Sequence, residues 1–268
     1  MPNADLLKWW QTIKITWTNQ MAYKFNFILM VIAPVLVFYL VKYNIWSSIY
    51  ALNDLSIIKN YTLQEMLNYQ AWSMVVAFLG LAYINSKVSE DIRMGRISAF
   101  LLYPFDFWKF HTGSFLGFQL TQLTICLFTV FALLMSGLVE WASWIPLLQG
   151  IVISLEVGVL WFILMFSIAL LSFWMEETWV LRVMLITISQ FLSGSIIPID
   201  LYPQWLQSIL AYTPFPYLTF VPIKIFMGQG EYGFLSSFFI ILFWIIIAFF
   251  MLKVIWNKGV KLYTAAGI

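Results

Sequence analysis

The side chains that could take part in chemistry are concentrated in one stretch of this chain, residues 85–111. Seven of the 14 basic and 12 acidic residues fall within it, and long apolar runs flank it on both sides. They are Lys87, Glu90, Asp91, Arg93, Arg96, Asp106 and Lys109. Large apolar residues are interspersed among these charges, whereas a solvated loop would be mostly polar. We therefore predict that this stretch offers a binding surface to a protein partner.

The spacing within the stretch predicts a small amphipathic helix. Its apolar face would consist of Ile92, Ile97 and either Phe100 or Leu101, and its polar face of Glu90, Arg93 and Arg96. Gly95 permits a close approach by another backbone or a local break, and Pro104 ends the helix.

Motifs of an enzyme are missing from the sequence. It lacks the G-x-x-x-x-G-K-[ST] loop that cradles nucleotide phosphates, so this chain is not expected to hydrolyse ATP through such a loop. Its single histidine, His111, excludes HExxH zinc chemistry, and its single cysteine, Cys126, excludes an internal disulfide. We interpret His111 as an interfacial residue and Cys126 as a core residue. No cofactor or metal is predicted in this chain.

The run Phe-Leu-Ser-Gly-Ser contains Ser193, the serine that most resembles a nucleophile. An intramembrane serine protease would carry G-x-S-G and a histidine on a later span. Here Phe191 replaces the first glycine, and the only histidine lies 82 residues earlier. Small residues that permit close packing explain the run better. Ser193, Gly194 and Ser195 are retained as candidate residues of a substrate pathway.

Glu156 lies in the middle of an apolar run, Ile-Ser-Leu-Glu-Val-Gly. A charge at the centre of a membrane helix costs roughly 2.5–3.5 kcal/mol, so it should face the bundle interior, a partner or water. Two interpretations remain open: a place on a substrate or proton pathway, and a buried structural carboxyl group. Glu156 is the fourth candidate pathway residue.

The amino-acid composition predicts a protein that is embedded in the lipid of a membrane. It is 62% hydrophobic and only 10% charged, whereas soluble domains are near a quarter charged. Backbone polar groups in hydrocarbon must be paired internally, and apolar runs of about 20 residues select helices to do this. The fold class predicted is all-α, a single polytopic membrane domain over residues 1–268.

Six apolar runs are long enough to be transmembrane helices. The predicted spans are 25–43, 66–84, 115–138, 144–175, 183–199 and 234–252. Residues 1–24 place tryptophans and lysines at helical spacing, which predicts a helix lying in the membrane interface. Residues 198–230 carry five of the nine prolines yet stay apolar, which predicts a broken re-entrant element before the last span.

The lysines and arginines predict the orientation of these spans. With six spans, eleven of them fall on the side that holds both termini and residues 85–111, and three, Lys42, Lys59 and Lys224, fall on the other. Cytoplasmic loops carry the excess of basic residues, so both termini and the 85–111 loop are predicted to be cytoplasmic. The net charge of +2 gives no reason to expect a nucleic-acid partner.

The order of these features resembles the permease subunits of type-2 ABC (ATP-binding cassette) exporters, in particular a poorly characterised bacterial branch. The resemblance covers almost the whole chain. It is carried by residues 22–27, by Glu90-Asp91…Gly95…Ile97…Leu101-Leu102…Pro104, by residues 194–214 with their Ile-Ile-Pro and Tyr-Pro-Gln-Trp-Leu, and by residues 256–263, Trp-Asn-Lys-Gly-Val-Lys-Leu-Tyr.

This resemblance implies a dimer of permeases in the bacterial inner membrane, either identical or paired with a sister subunit. Two separate cytosolic ATPase subunits would hold ATP and Mg²⁺, and the 90–104 segment would be the coupling helix that docks on them. The implied docking residues are Glu90, Asp91, Ile92, Arg93, Met94, Gly95, Arg96, Ile97 and Leu101. Membrane lipid surrounds the spans.

Three alternatives to an exporter remain open at this level. A membrane scaffold could transmit ATPase motion without carrying cargo, although the outer loops here are short. An ion-coupled carrier could use Glu156, although residues 1–134 and 135–268 share no repeated pattern. An intramembrane enzyme lacks a catalytic pair. The apolar, aromatic composition favours an amphipathic or lipid-like substrate.

Overall fold

Helices form almost all of the structure, a computed structural model that describes residues 2–22, 24–52, 57–80, 86–102, 107–135, 137, 139, 143–230 and 232–262. The helices are α1 (Pro2–Ala22), α2 (Lys24–Leu52), α3 (Leu63–Gly80), α4 (Ser86–Arg93), α5 (Ile97–Leu102), α6 (Phe107–Met135), α7 (Trp144–Leu170), α8 (Trp179–Leu192), α9 (Gln204–Leu210), α10 (Phe215–Leu218), α11 (Phe220–Phe226) and α12 (Phe234–Leu262). A hairpin of two-residue strands, β1 (Ile57–Ile58) and β2 (Tyr61–Thr62), precedes α3 and was not predicted.

Within the described residues, three helices are long and apolar enough to cross a membrane: Phe107–Met135, Trp144–Phe173 and Phe234–Leu262. They correspond to the third, fourth and sixth predicted spans. The first and second predicted spans fall on α2 and α3, and residues 81–84 of the second lie outside the described part. The all-α class is supported, and the number of crossings stays a prediction.

The fifth predicted span, 183–199, is not one continuous helix. Helix α8 ends at Leu192, and Gly194 follows with a φ of 82°, a left-handed conformation that glycine adopts without strain. A 14-residue helix is about 21 Å long, which is less than the hydrocarbon thickness. The apolar residues after Leu192 therefore lie outside this helix, and the re-entrant path of residues 198–230 stays a prediction.

The start of α3 is fixed by a capping box. Thr62 donates its backbone N–H to the Glu65 carboxylate at 2.8 Å, and the Glu65 N–H donates to the Thr62 hydroxyl at 3.3 Å. These reciprocal bonds satisfy N–H groups that a helix start leaves unpaired.

The core lies where α3, α7 and α11 meet, and glycines allow these helices to come close. A Cβ built on Gly150 of α7 would lie 2.5 Å from the ring of Phe226 in α11. A Cβ on Gly158 would lie 2.8 Å from the carbonyl oxygen of Leu79 in α3. Trp72 of α3 stacks on Phe226 with their centroids 4.6 Å apart. Close backbone approach of this kind is how membrane helices gain packing without a hydrophobic driving force.

Helix α1 runs beside the first turns of α6 in the same direction. Asp5 binds Lys109 at 2.7 Å, and further along both helices the Trp9 indole N–H donates to Thr112 at 3.3 Å. A Cβ on Gly117 would lie 2.6 Å from the Ile13 carbonyl oxygen, so only glycine fits there. The position of α1 in the membrane interface stays a prediction. The sequence did not predict that α1 packs on α6.

Candidate functional site: the docking turn and the outer cavity

The docking turn, residues 86–102, consists of two short helices where a single amphipathic helix was predicted. Helix α4 ends at Arg93, and Gly95 follows with a φ of 71° before α5 begins at Ile97. A residue with a Cβ is strained in that conformation, so Gly95 permits the break, and the close approach of another backbone stays a prediction. The predicted stop at Pro104 lies outside the described residues.

The docking turn has a buried side and an exposed side. Ile92 and Ile97 are buried in the core of the chain itself, whereas Arg93, Met94 and Arg96 are exposed. The side chain of Leu101 is outside the described part. The surface available to a partner is therefore the break between the helices, and the docking role of all these residues stays a prediction.

Ion pairs hold the turn in shape. Arg96 binds Glu90 at 2.7 Å and Asp91 at 3.0 Å, so one guanidinium spans both sides of the Gly95 break. Burial raises the pKa of the Asp91 carboxyl group, and the positive charges of Arg96 and Lys87 oppose that rise. Asp91 is thus a buried acid that organises the turn.

A second segment, residues 171–178 between α7 and α8, lies against the docking turn. Arg93 binds the Glu177 carboxylate at 2.9 Å and the Glu176 carbonyl oxygen at 3.2 Å. Between the two segments lies a groove of about 550 Å³. Its walls are Ile92, Arg93, Gly95, Ser172, Phe173, Trp174, Met175, Glu176, Glu177 and Leu262. In the sequence, Glu176 and Glu177 directly follow the predicted span 144–175. This acidic pair was the signal for the second segment, and we did not associate it with the docking turn.

An aromatic cluster joins the docking turn to three long helices. Phe107 of α6 stacks on Trp256 of α12 with centroids 5.0 Å apart, and it contacts Phe166 of α7 at 5.9 Å. Phe100 of α5 contacts Phe107 at 5.4 Å. His111 is buried within this cluster, and neither of its ring nitrogens has a hydrogen-bond partner among the described residues. Movement of α5 would therefore reach α6, α7 and α12 through packed rings.

The predicted pathway residues separate into two places. Ser193 and Ser195 line a cavity of about 190 Å³ between α3, α7, α8 and α10. Gly194 lies between them, and its carbonyl oxygen accepts a hydrogen bond from Tyr69 at 2.7 Å. Glu156 is not among the lining residues, and both of its carboxylate oxygens are buried without a hydrogen-bond partner in the described part.

The segment that follows α8, residues 195–202, is held by all three lysines predicted to lie on the outer side. Lys42 donates to the Ser195 carbonyl oxygen at 2.9 Å, and Lys59 donates to the Asp200 carbonyl oxygen at 2.8 Å. Lys224 of α11 binds the Asp200 carboxylate at 2.8 Å. We name this segment the outer strap.

The contact between Asp200 and Lys224 is the most buried ion pair in the described part of the chain. The Lys224 side chain is 6% exposed and that of Asp200 is 30% exposed. The Tyr61 hydroxyl donates to Asp200 at 2.7 Å, and the Lys224 ammonium lies 4.8 Å from the centroid of the Tyr61 ring. Burial, followed by the hydrogen bond to Asp200, raises the pKa of Tyr61, which therefore stays a donor.

The chain was compared with known proteins. A family model described as "ABC-2 family transporter protein" matches residues 36–267, which is most of the chain. Comparison with curated proteins and with solved structures gave no significant match. The match includes the docking turn, the cavity and the outer strap, and it begins after α1.

Proposed function

We propose, from the premise that the chain belongs to the ABC-2 family of transporter proteins, that it is the permease of an ATP-driven exporter in the bacterial inner membrane. Its cargo is an amphipathic or lipid-like molecule that leaves the cytoplasm or the inner leaflet. Separate cytosolic ATPase subunits hold the ATP and Mg²⁺ and dock on residues 90–104.

The observation that carries this proposal is the build of the docking turn. Arg93, Met94 and Arg96 are exposed at a break that Gly95 permits, on the side predicted to be cytoplasmic. Behind them Phe100 and Phe107 lead into the long helices. A push on the turn would thus be transmitted into the helix bundle, because packed side chains move together and are not compressible.

A second permease subunit would cover α8. Among the residues of this helix only Ser189 is buried, and the polar side chains of Thr187 and Gln190 are exposed on it. Polar groups within a membrane tend to face other helices and not lipid tails. The same chain or a sister permease would supply that helix, and lipid would cover the apolar faces of α6 and α12.

The test is co-purification of the tagged chain with a cytosolic ATPase. The double reversal Arg93→Glu and Arg96→Glu is expected to release the ATPase, since it places acidic groups where a partner finds basic ones. Lys258→Glu is the matched control, because Lys258 is an exposed lysine of α12 outside the docking turn.

Two results would contradict different parts of the proposal. A complex that survives the double reversal would show that the docking turn is not the ATPase-binding surface. A chain that carries no ATPase under any mild solubilisation would refute the function itself.

An ion-coupled carrier is the second candidate, and one observation favours it. The buried Glu156 carboxylate has no hydrogen-bond partner in the described residues. A carboxyl group that binds and releases a transported proton would be free of such partners, and ionisable groups inside membrane helices often have this role. In that case Glu156→Gln would abolish transport driven by a proton gradient in vesicles without any ATPase. Transport that needs ATP and survives this substitution would exclude the carrier.

A further inference from the structure

The cavity beneath the outer strap is lined by both polar and apolar residues. Its polar lining residues are Gln190, Ser193, Ser195 and Thr219, which belong to the end of α8 and to the re-entrant element. Its apolar lining residues are Val76, Ala77, Trp161, Met165, Ile186 and Leu218, of which the first four lie on α3 and α7. A ligand that fits would therefore be amphipathic, with its polar group beside these four side chains.

None of the described residues that line the cavity carries a charge. A charged headgroup would lose its hydration there without meeting an opposite charge, which is unfavourable, whereas hydroxyl groups would find amide and hydroxyl partners. Lys42 of α2 holds the strap by binding the Ser195 carbonyl oxygen at 2.9 Å, and it also binds the Ser73 hydroxyl at 3.1 Å, but it is not a lining residue.

Gln190 is the lining residue best placed to select the headgroup. It is exposed on α8, and its side-chain amide makes no hydrogen bond with the residues that the structure describes. An amide can both donate and accept, so it matches a neutral polar group and does not neutralise a charged one. The volume of about 190 Å³ is below the range of sites for drug-sized ligands, which fits a small headgroup and the first part of a chain.

We propose that this cavity binds an amphiphile with an uncharged, hydroxyl-bearing headgroup and a single acyl chain, and that Gln190 determines this preference. The proposal rests on the proposed function, since it names the substrate class of the exporter.

Two photoreactive probes test it. The first is a monoacylglycerol, and the second is a lysophosphatidic acid with the same diazirine-bearing chain, so that the two differ by one phosphate. The full-length chain is labelled in nanodiscs, and the labelled peptides are mapped by mass spectrometry. We expect the neutral probe to label residues 186–195 and 218–219 more than the anionic probe by on the order of tenfold, the ratio that 1.4 kcal/mol produces.

Gln190→Leu should reduce labelling by the neutral probe, and Gln190→Lys should reverse the preference toward the anionic probe. The matched controls are Gln204→Leu and Gln204→Lys, because Gln204 is an exposed glutamine of α9 that does not line the cavity. All variants are compared at equal yield and equal elution volume, which shows that they are folded.

Equal labelling by the two probes, a preference for the anionic probe in the unchanged chain, or the same effects from the Gln204 variants would each overturn the proposal. Labelling needs no ATPase. A chain that is labelled as expected but carries no ATPase would contradict only the exporter function, and a chain that carries an ATPase but shows no preference would contradict only this inference.

Discussion

Removal of either partner of the Asp200–Lys224 pair should destabilise the fold, but by different amounts. Asp200→Asn leaves the Lys224 ammonium, which is 6% exposed, without its counter-charge. Breaking a buried pair costs about 3–5 kcal/mol. Lys224 would keep its bond to the Gln229 amide oxygen at 2.7 Å and its position over the Tyr61 ring, so we take the lower end, about 3 kcal/mol.

Lys224→Met leaves the Asp200 carboxylate without its counter-charge, but Asp200 is less buried than Lys224. The Asp200 side chain is 30% exposed and still accepts a hydrogen bond from Tyr61, so water and the phenol together stabilise its charge. We expect a loss of about 1 kcal/mol, and a similar loss for the double variant, in which neither charge remains buried. The two single changes are therefore strongly non-additive.

Thermal unfolding in detergent measures these differences. A loss of 1 kcal/mol lowers Tm by roughly 2–4 °C for a chain of this size, so Asp200→Asn should lower it by roughly 6–12 °C and Lys224→Met by roughly 2–4 °C. Lys59→Met is the control, because Lys59 is an exposed lysine whose hydrogen bonds within the described residues go to carbonyl oxygens of the strap. A larger effect from Lys224→Met than from Asp200→Asn, or additivity in the double variant, would refute the reasoning.

Three further predictions concern the end of the helices that is predicted to be cytoplasmic. Gly117→Val should displace α1 and lower Tm, whereas Gly230→Ala should not, because a Cβ at Gly230 meets nothing within 4 Å; equal Tm changes would contradict this. Because burial raises the folded-state pKa of Asp91, the unchanged chain should gain stability relative to Asp91→Asn as the pH falls toward the ordinary aspartate pKa, and parallel Tm profiles would argue against it. Trp256→Leu should lose ring packing worth about 0.5–1.5 kcal/mol. This variant should still bind the ATPase but show weaker ATP-driven transport. Loss of ATPase binding would contradict the role of the aromatic cluster.

The parts of the fold that the sequence predicted are those set by local apolar runs. Helices α6, α7 and α12 are recognisable because their side chains face lipid or core along almost their whole length. The sequence allowed Gly95 either a local break or a close approach, and the φ of 71° in the structure supports the break. The Gly113-x-x-x-Gly117 spacing that seats α1 is visible in the sequence and was overlooked.

The parts that were not predicted depend on contacts between distant segments. Ile92 and Ile97 were assigned to one face of the docking helix, but periodicity does not tell whether an apolar face meets a partner or the chain's own core. Asp200 and Lys224 are 24 residues apart in the sequence, so their ion pair can be predicted only when the path of the chain between them is known. Glu156 and the serines after α8 were grouped by residue type, and three-dimensional packing separates them.

The outer strap has one mechanical consequence. It is fastened at three points by lysines from α2, from the hairpin and from α11, so it cannot swing outward alone. If the cavity opens at the strap, the strap, α2, the hairpin and α11 have to move together as one rigid block. Helix α8 moves with that block, because the strap follows it directly in the chain and the Tyr202 hydroxyl donates to the Phe191 carbonyl oxygen.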